Sequence, residues 1–554
     1  MTNGSNLATD GRLLLLHPDD DCLVARVPLA AGTRLVVAGD EVELAVDLGV
    51  GHKIAARALE EGVVVRKSGA AIGRTTARVA RGEHLHLHNL RSDYLPAHLV
   101  GGQPVASDGG VARAAHSDGP GAASPQRRSA ARGEGAPDGR SVRATASRAP
   151  GRPARLPEIV GYRRADGRKG IRNNLLVVYT VECAHHVVSR IARGFDASEP
   201  GVQVVGFPGC YPNEYAQRVL GALCTHPNVG GALVVSLGCE SFDAGALVDE
   251  VRASGRWVDR LVIQEDGGTS ATIARGRELV SEAIAVISGA ERVPMSVGEL
   301  VVGTICGGSD STSLLTANPA VGRAFDRLVQ SGASCIFEET GELIGCEDHL
   351  RARAATPELG EELAGRIEKA AVYYAQLGHA SIAPGNLAGG LTTIEEKSIG
   401  AYAKSGSSTI TGVVDPGERP AGPGLYLLDV VPDGPAQFGY PNINDTTEIV
   451  ELIACGSHVI LFTTGRGSVV GSVVSPVVKV CANPETYEKM REDMDVDAGR
   501  ILRGDADLDE VGLEIFELVA RTASGEPTCS EALGHEEFQL GYKVFRSIEP
   551  SCLA

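Results

Sequence analysis

The stretch V-V-G-T-I-C-G-G-S-D-S-T-S-L-L-T-A-N-P, residues 301–319, decides the fold of this chain. A short apolar run rich in β-branched residues ends at Cys306, and a helical pattern begins at Ala320. This order predicts a strand, a loop and a helix. Paired glycines let the loop turn sharply and lie close to a ligand, while a thiol, a hydroxyl and a carboxylate beside them supply polar groups. The loop therefore indicates a binding site, with a plain strand-to-helix turn as the alternative.

The same alternation of strand-like and helix-like runs extends from about residue 158 to residue 550. Strands are predicted at residues 175–180, 202–207, 232–237, 260–264, 300–305, 334–337, 424–430 and 458–462. Helical patterns follow most of these runs, and such alternation predicts parallel sheets covered by helices. We expect two Rossmann-like α/β lobes, residues 157–295 and residues 296–554.

The N-terminal part of the chain has a different pattern. Short alternating runs between Gly, Asp and Pro predict a small β-rich module over residues 1–100. Alternation over residues 84–88 places His84, His86 and His88 on one side of a strand, as a candidate metal-binding or acid-binding edge or simply a solvated one.

Residues 101–156 contain almost no large apolar side chain, and burial there cannot offset the entropy of ordering. They are predicted to form a disordered linker.

Composition limits the classes of function. The formal net charge of -18 argues against nucleic acid or an acidic membrane surface as the main partner, although local Arg or Lys residues can still hold an anionic small molecule. The N-terminus lacks the pattern of a signal peptide, and no apolar run is long enough to span a bilayer, so a cytoplasmic location is expected. Twelve Cys without any C-x-x-C pair favour neither a disulfide framework nor a zinc module.

Ligands of open α/β sheets bind beyond the carboxyl ends of the strands, so the loops there are the candidate site. Several of these loops carry a cysteine or an acidic residue close to glycine: Cys183, Cys210, Cys239 with Glu240, Cys306 with Asp310, and Glu339. A single Cys is most often a small buried hydrophobe. Four at equivalent loop positions indicate a shared chemical role.

The loop residues admit three chemistries. Thiol and carboxylate groups could bind a divalent transition metal, for which iron suits the mixed donors. Three or four thiolates could instead hold an iron–sulfur cluster. A single thiolate could act as a nucleophile, but the nearest candidate base, His226, lies at the far end of a helix. Dinucleotide and triphosphate binding are disfavoured because both glycine-rich phosphate motifs are missing from the sequence.

Two further stretches supply groups that handle anions. Pro384-Gly385-Asn386 leads into a helical pattern that carries Lys397, where amide groups at a helix start are available to a carboxylate. In the run after residue 463, Thr464 and glycines surround Arg466, whose planar guanidinium is suited to clamping a carboxylate. A surface Arg in a turn is the alternative.

Taken in order, these motifs resemble the galactarate/altronate dehydratase family. The resemblance covers residues 158–550 and rests on the following runs: G-Y-R-R-A-D-G-R at residue 161, H-P-N at 226, G-C-E at 238, C-G-G-S-D at 306, T-A-N-P at 316, P-G-N at 384, F-T-T-G-R-G at 462 and M-D-V-D-A-G at 494. Residues 12–95 resemble the SAF domain, a β-clip module, that begins those enzymes. The chain departs from the family in its second loop, Gly209-Cys210-Tyr211, and at Leu387, where members carry Lys.

The resemblance implies a hydro-lyase that removes water from a sugar acid such as altronate or galactarate and requires a divalent metal, Fe²⁺ with Mn²⁺ as the alternative. It also implies that the SAF module lies near the active site. A sulfo-lyase acting on a sulfonated hydroxy acid and a non-catalytic sugar-acid sensor are the alternatives. The expected partners are a small anionic substrate and a second copy of the chain, in a homodimer.

Roles follow for particular side chains. Metal ligands are predicted among Cys239, Glu240, Cys306, Asp310 and Glu339. Substrate contacts are predicted for Arg466, Ser309, Asn386 and Thr464. Proton transfer is assigned to Lys397, His52 and His86, because dehydration beside a carboxylate requires both a base and an acid.

Overall fold

The computed structural model describes residues 10–93, 156–195, 200–211, 214–377, 381–433, 444–541 and 543. The predicted linker, Leu156 apart, lies outside these ranges. The described residues on either side of that segment pack as one compact unit. Within these ranges, no helix has the length and apolar character needed to cross a membrane.

The N-terminal module is built from short antiparallel strands. In chain order they are β1 (Leu13–Leu14), β2 (Cys22–Ala25), β3 (Arg34–Val37), β4 (Asp40–Glu43), β5 (Lys53–Ala55), β6 (Val64–Lys67), β7 (Ala70–Thr75), β8 (His84–Leu85) and β9 (Leu90–Arg91). They form sheets in the orders β1-β2-β5-β8, β3-β4 and β6-β7-β9. Two small apolar clusters, one around Leu23 and Leu35 and one around Val65 and Ile72, form the core of the module.

The prediction of a single strand through His84, His86 and His88 is wrong. Strand β8 ends at Leu85, and the chain then turns, with the amide groups of Asn89 and Leu90 donating to the carbonyl oxygen of His86. The buried Asn89 side chain closes this turn by donating to the carbonyl of His84 at 2.9 Å and accepting from the amide of His86 at 3.0 Å. The imidazole rings still lie near one another, because the turn folds them together.

The first lobe surrounds a parallel sheet. Its elements are β10 (Ile159–Arg163), β11 (Lys169–Gly170), β12 (Asn174–Tyr179), α1 (Glu182–Ala192), β13 (Val202–Gly206), α2 (Glu214–Cys224), β14 (Val229–Ser236), α3 (Ala244–Ala253), β15 (Trp257–Val262), α4 (Thr269–Ile287) and β16 (Arg292–Met295). The parallel sheet has the order β13-β12-β14-β15, and β11-β10-β16 form a separate antiparallel sheet. Every residue of β14 is buried, as expected for a strand covered by helices on both faces.

The second lobe is built in the same way around a larger sheet. It contains β17 (Val301–Cys306), α5 (Ala317–Gln330), β18 (Ser334–Phe337), α6 (Glu347–Arg353), α7 (Pro357–Leu377), α8 (Pro384–Ala388), α9 (Ile394–Lys404), β19 (Ile410–Val414), β20 (Gly424–Leu428), α10 (Asp445–Ala454), β21 (Val459–Thr464), β22 (Val477–Cys481), α11 (Pro484–Lys489), β23 (Val496–Asp497), α12 (Arg500–Arg503), α13 (Leu508–Ala523) and α14 (Cys529–Leu533). The sheet order is β19-β20-β18-β17-β21-β22-β23, and the pairs are parallel. The predicted fold class, a β-rich module with parallel α/β lobes, is confirmed.

A buried ion triad joins the N-terminal module to the second lobe. Lys53 on β5 and Lys67 on β6 each place Nζ 2.8 Å from a different carboxylate oxygen of Glu396 on α9, and all three side chains have no exposed surface. Lys53 also donates to Thr392 Oγ1 at 2.7 Å. Burial alone would raise the pKa of Glu396, but the two ammonium groups outweigh burial and lower that pKa to about 2.

Loss of the Glu396 charge should weaken this attachment. We expect Glu396→Gln to lower the free energy of unfolding by about 3 to 5 kcal/mol, because two buried ammonium groups lose their counter-charge. Since the pKa of Glu396 is depressed, its contribution is present above the ordinary carboxyl pKa of 4.5 and is lost as the pH falls toward 2. Urea unfolding of both proteins at pH 7 measures the difference.

A matched control is Glu488→Gln, which removes one carboxylate of an ion pair with Arg491 whose side chains are 61% and 60% exposed. That change should cost less than about 1 kcal/mol. Equal losses for the buried and the exposed substitution would show that the triad does not anchor the module.

Candidate active site

The centre of the site is formed where β17 and β18 end side by side. Thr304 pairs with Phe337 in the parallel register, so Cys306 and Glu339 lie at the same level, two residues farther along each strand. Glu339 has a left-handed φ of 94°, and the following 3-10 turn, Thr340–Glu342, brings Glu342 back toward the same point. The sulfur of Cys306 and carboxylate oxygens of Glu339 and Glu342 all lie within 4.8 Å of one another.

Hydrogen bonds hold this group in place. The amide of Cys306 donates to Glu339 Oε1 at 2.8 Å, and the thiol lies 3.5 Å from Glu342 Oε2. The hydroxyl of Ser309 donates to the Cys306 sulfur at 2.9 Å. Burial raises the pKa of the Cys306 thiol above its ordinary value, with Lys404 opposing the shift. The thiol is therefore protonated unless a cation binds beside it.

Two lysines of α9 supply the opposite charge. Lys404 pairs with Glu339, and Lys397 Nζ lies 2.5 Å from Glu342 Oε1 and 2.7 Å from the carbonyl of Ser381. Burial by itself lowers the pKa of Lys397, but the neighbouring Glu342 carboxylate outweighs burial and the pKa lies above its ordinary value. Lys397 is therefore an ammonium group at neutral pH. It can give a proton but is a poor base.

The donor set fits a first-row divalent ion. One thiol and two carboxylates offer the mixed sulfur and oxygen ligands that iron or manganese accepts. No other group of three candidate ligand side chains comes this close together in the described ranges. Two of the predicted metal ligands, Cys306 and Glu339, therefore lie in one cluster, which Glu342 completes.

Asp310 lies outside that cluster. Its Oδ1 accepts from the amide of Thr312 at 2.8 Å and its Oδ2 accepts from Asn483 at 2.9 Å, while burial raises its pKa. Gly389 and Gly465 press against it so closely that an added Cβ would lie 2.6 Å and 2.2 Å from Asp310 atoms. The Asp310 carboxylate thus fastens the loops around the site together.

Three of the predicted substrate-binding side chains are engaged in the same scaffold. Asn386 donates to the carbonyl of Ser309 at 2.8 Å and accepts from the amide of Ala383 at 2.7 Å. Thr464 Oγ1 accepts a hydrogen bond from the amide of Gly467 at 3.0 Å. The Ser309 hydroxyl donates a hydrogen bond to the sulfur of Cys306. These side chains position the loops before any ligand binds.

Arg466 differs from these residues. Its amide donates to the carbonyl of Gly308 at 2.9 Å, which fixes its backbone against the Cys306 loop. Its side chain is exposed and makes no hydrogen bond or ion pair with the described residues. The guanidinium passes near Gly385 at the start of α8, with Nε 3.7 Å from the position of an added Cβ. It is available to an anion.

Imidazoles of the N-terminal module reach the loop that follows α8. His52 lies against Gly390, where an added Cβ would be 2.8 Å from its Cδ2, and its Nδ1 is 3.1 Å from His84 Nε2. His86 Nδ1 is 3.0 Å from Thr392 Oγ1. Burial, followed by His86, lowers the pKa of His52 to about 4, and burial also lowers the pKa of His86. Both rings are neutral at pH 7 and can accept a proton.

Cys239 and Glu240 lie in the first lobe, and neither belongs to the Cys306 cluster. The Glu240 carboxylate accepts from the amides of Gly238 and Cys239 at 2.8 and 3.1 Å and from Thr180 Oγ1 at 2.5 Å. It shapes its own loop. Cys239 is exposed.

Sequence reasoning missed Glu342, Lys404 and Asp445. Glu342 belongs to the same acidic run as Glu339, so the sequence shows a carboxylate there. The direction of its side chain depends on the 3-10 turn, which the sequence does not reveal. Asp445 is far away in sequence, yet its Oδ2 lies 2.1 Å from the position of an added Cβ on Gly307. Burial, followed by Glu342, raises the pKa of Asp445 to about 6. No local pattern indicated this contact.

Comparison with known proteins gives consistent matches along the chain. Residues 297–545 match the D-galactarate/altronate dehydratase C-terminal family, residues 161–288 match the D-galactarate dehydratase/altronate hydrolase second domain, and residues 11–93 match the altronate/galactarate dehydratase SAF domain.

Individual relatives come from two kinds of lyase. The chain is 36% identical to (2R)-sulfolactate sulfo-lyase subunit beta of Chromohalobacter salexigens, over 69% of this chain and 96% of that protein. It is 29% identical to altronate dehydratase of Escherichia coli, over 95% of this chain and 98% of that protein. It is 33% identical to galactarate dehydratase (L-threo-forming) of Escherichia coli, over 66% of this chain and 72% of that protein.

The raised pKa of Asp445 predicts a pH-dependent stability. Folding disfavours its charged form, so the penalty is absent below the ordinary pKa of 3.8 and complete above about pH 6. We expect Asp445→Asn to stabilise the metal-free protein at pH 8 by about 1 to 3 kcal/mol, and the gain to vanish by pH 4. Urea unfolding at the two pH values measures it, with Asp509→Asn at an exposed ion pair as the control. A gain that is the same at both pH values would contradict this interpretation.

Proposed function

The chain belongs to the galactarate/altronate dehydratase family, and from this premise we propose that it is a hydro-lyase that converts a sugar acid to a 2-keto-3-deoxy acid. The observation that carries the proposal is the position of Arg466, which is exposed, unpaired within the described residues and tied to the Cys306 loop through Gly308. A carboxylate held by Arg466 would place its neighbouring carbon atoms beside the thiol–carboxylate cluster.

The reaction requires a base at C2, the carbon bonded to the carboxylate, and an acid at the hydroxyl group of C3. The base removes the proton from C2, the electron pair forms the C2–C3 double bond, and hydroxide leaves from C3 as water once it gains a proton. The resulting enol takes up a proton at C3, loses the proton of its C2 hydroxyl group and becomes the 2-keto acid. Such proton transfers typically contribute factors of about 100 to 10,000 in rate.

The protonation states divide these roles among the candidates. Lys397 carries a proton at neutral pH and is the acid that assists the leaving hydroxyl group. His52 and His86 are neutral, so an imidazole from the N-terminal module is the base. His84, hydrogen-bonded to His52 Nδ1, orients that ring.

We assign a divalent metal, Fe²⁺ with Mn²⁺ as the alternative, to Cys306, Glu339 and Glu342. When bound, it would act as a Lewis acid that stabilises negative charge developing on the substrate. Lys397 and Lys404 balance the two carboxylates in the protein described here, so metal binding would free the Lys397 ammonium from Glu342 for the proton transfer.

A sulfo-lyase is the second candidate. Identity to the sulfolactate sulfo-lyase subunit, at 36%, is higher than identity to the two dehydratases named above. Loss of sulfite in place of hydroxide would use the same base and carboxylate clamp. The name of that relative, subunit beta, indicates a multi-subunit enzyme, whereas a homodimer and a cytoplasmic location stay predictions for this chain.

Turnover of a substrate panel tests the proposal. Protein loaded anaerobically with Fe²⁺ should form a keto acid from altronate or galactarate without release of sulfite, and Cys306→Ser should lose most of its bound metal and activity. Keto-acid and sulfite assays on the same samples measure both products. Sulfite from sulfolactate, with no turnover of sugar acids, would favour the second candidate.

Arg466 should be the substrate carboxylate clamp. Losing a charge-assisted bond costs about 1.5 to 3 kcal/mol, so Arg466→Ala should reduce kcat/KM about ten- to a hundredfold. Arg466→Lys should recover little, because an ammonium cannot reproduce the two-point fork. The control is Arg260→Ala, at an exposed position of β15. If Arg466→Ala stays within about twofold of the parent in kcat/KM, the clamp lies elsewhere.

A further inference from the structure

The buried ion triad reaches an imidazole of the proposed active site through the hydroxyl group of Thr392. Lys53 Nζ lies 2.7 Å from Thr392 Oγ1, and the same oxygen lies 3.0 Å from Nδ1 of His86. The amide of Thr392 donates to Glu396 Oε2 at 2.9 Å, which fixes this buried residue against the triad. A continuous chain of hydrogen bonds therefore runs from Lys53 to the ring.

The ammonium group of Lys53, paired with Glu396 at 2.8 Å, decides the direction of each bond in this chain. An ammonium group has no lone pair and only donates, so Thr392 Oγ1 accepts from Lys53 and keeps its own proton to donate. Among the described residues, Nδ1 of His86 is the acceptor within reach of that proton. A neutral imidazole that accepts at Nδ1 carries its proton on Nε2.

The surroundings of His86 favour the same tautomer. Burial, followed by the Lys53 ammonium, lowers the pKa of His86, while the backbone carbonyl of Leu387 opposes this shift as a hydrogen-bond acceptor. A carbonyl accepts only from a ring N–H, and Nδ1 already faces Thr392. The proton therefore belongs on Nε2. A ring in this state has no free lone pair with which to remove a proton.

His52 is placed differently. The backbone before it packs on the loop that follows β17, since an added Cβ on Gly51 would lie 2.8 Å from Cβ of Ser311. Nδ1 of His52 is 3.1 Å from Nε2 of His84. Nε2 of His52 makes no hydrogen bond with the described residues and lies beside Gly390, 2.9 Å from the position of an added Cβ. When Nδ1–H donates to His84, the Nε2 lone pair is free.

We propose that the Lys53–Thr392 pair fixes His86 as the Nε2–H tautomer. His86 then donates a hydrogen bond to a substrate oxygen, and His52 is the base that removes the C2 proton. This assignment rests on the proposed function and narrows the choice between two imidazoles to one. The proton moves from C2 to Nε2 of His52, the C–H electron pair forms the C2–C3 double bond, and Nδ1–H of the imidazolium stays bonded to His84. Lys53 and Thr392 are positioning residues that act through His86.

The tautomer can be measured without any turnover. Solid-state NMR of the full-length protein, labelled with ¹³C and ¹⁵N in its histidines, separates a ring nitrogen that carries a proton from one that carries a lone pair. The variant His86→Gln identifies the signals of this ring by their loss. At pH 7 we expect the His86 proton on Nε2 and the lone pair on Nδ1. A proton on Nδ1 would overturn the proposal, whichever substrate the enzyme turns over.

Two substitutions of Thr392 test the route through its hydroxyl group. Thr392→Ser keeps the hydroxyl and should keep the ¹⁵N signals of His86. Thr392→Val keeps the shape but removes the donor, so the Nδ1 signal of His86 should move. The control is Thr76→Val, at an exposed position just after β7, which should leave the ring signals unchanged. An unchanged Nδ1 signal in Thr392→Val would show that this hydroxyl does not hold the ring.

Turnover by paired variants tests the identity of the base. A glutamine side chain can donate a hydrogen bond but cannot remove a proton. In variants whose circular dichroism matches the parent, His52→Gln should lower kcat about 100- to 10,000-fold. His86→Gln should lower it at most about tenfold, the value of one hydrogen bond. A larger loss in His86→Gln than in His52→Gln would overturn the assignment of the base. The expected tautomer in a protein without dehydratase activity would count against the proposed function alone.

Discussion

The Glu396 carboxylate, shared by Lys53 and Lys67 with no exposed surface, is the interaction on which the arrangement of the site depends. An unpaired charge at that depth would be very costly, so the N-terminal module and α9 are held in one relative position. The next residue along α9 is Lys397, which points to a different face of the helix and meets Glu342. A β-module that supplies no residue to the Cys306 cluster thus fixes the lysine beside it.

The same helix balances charge throughout the site. Glu396 pairs with two lysines of the module, while Lys397 and Lys404 neutralise the two carboxylates beside Cys306. With those ammonium groups in place, two acidic side chains and a thiol can be buried together before any cation arrives. A bound cation would compete with Lys397 for Glu342. Competition of this kind couples the binding of a metal to the availability of a proton donor.

Sequence patterns predicted the strands well because β-branched runs bounded by glycine have few other solutions; the predicted strand at residues 334–337 matches β18. They also singled out the loops at the carboxyl ends of these strands as the candidate site. What they could not decide was how each polar side chain is used, since a carboxylate can bind metal or accept amide hydrogens equally well. Glu240 and Asp310 accept hydrogen bonds that hold their loops, and only the tertiary fold shows this. The position of Asp445 beside the site could not be predicted, because the residue that it contacts, Gly307, is distant in sequence.

The four loop cysteines illustrate the difference between topological and chemical equivalence. In sequence, Cys183, Cys210, Cys239 and Cys306 occupy similar positions after strands, which suggested one shared role. The fold divides them. Cys306 ends its strand, is buried and is bonded to Ser309 within a carboxylate pair, whereas the other three emerge four residues beyond one common level of another sheet and remain exposed. A buried thiol among carboxylates suits a single divalent cation, whereas exposed thiols without neighbouring ligand groups do not define such a site. One residue type at one kind of loop therefore need not have one role, because burial and the neighbouring side chains, not residue identity, decide what a thiol can bind.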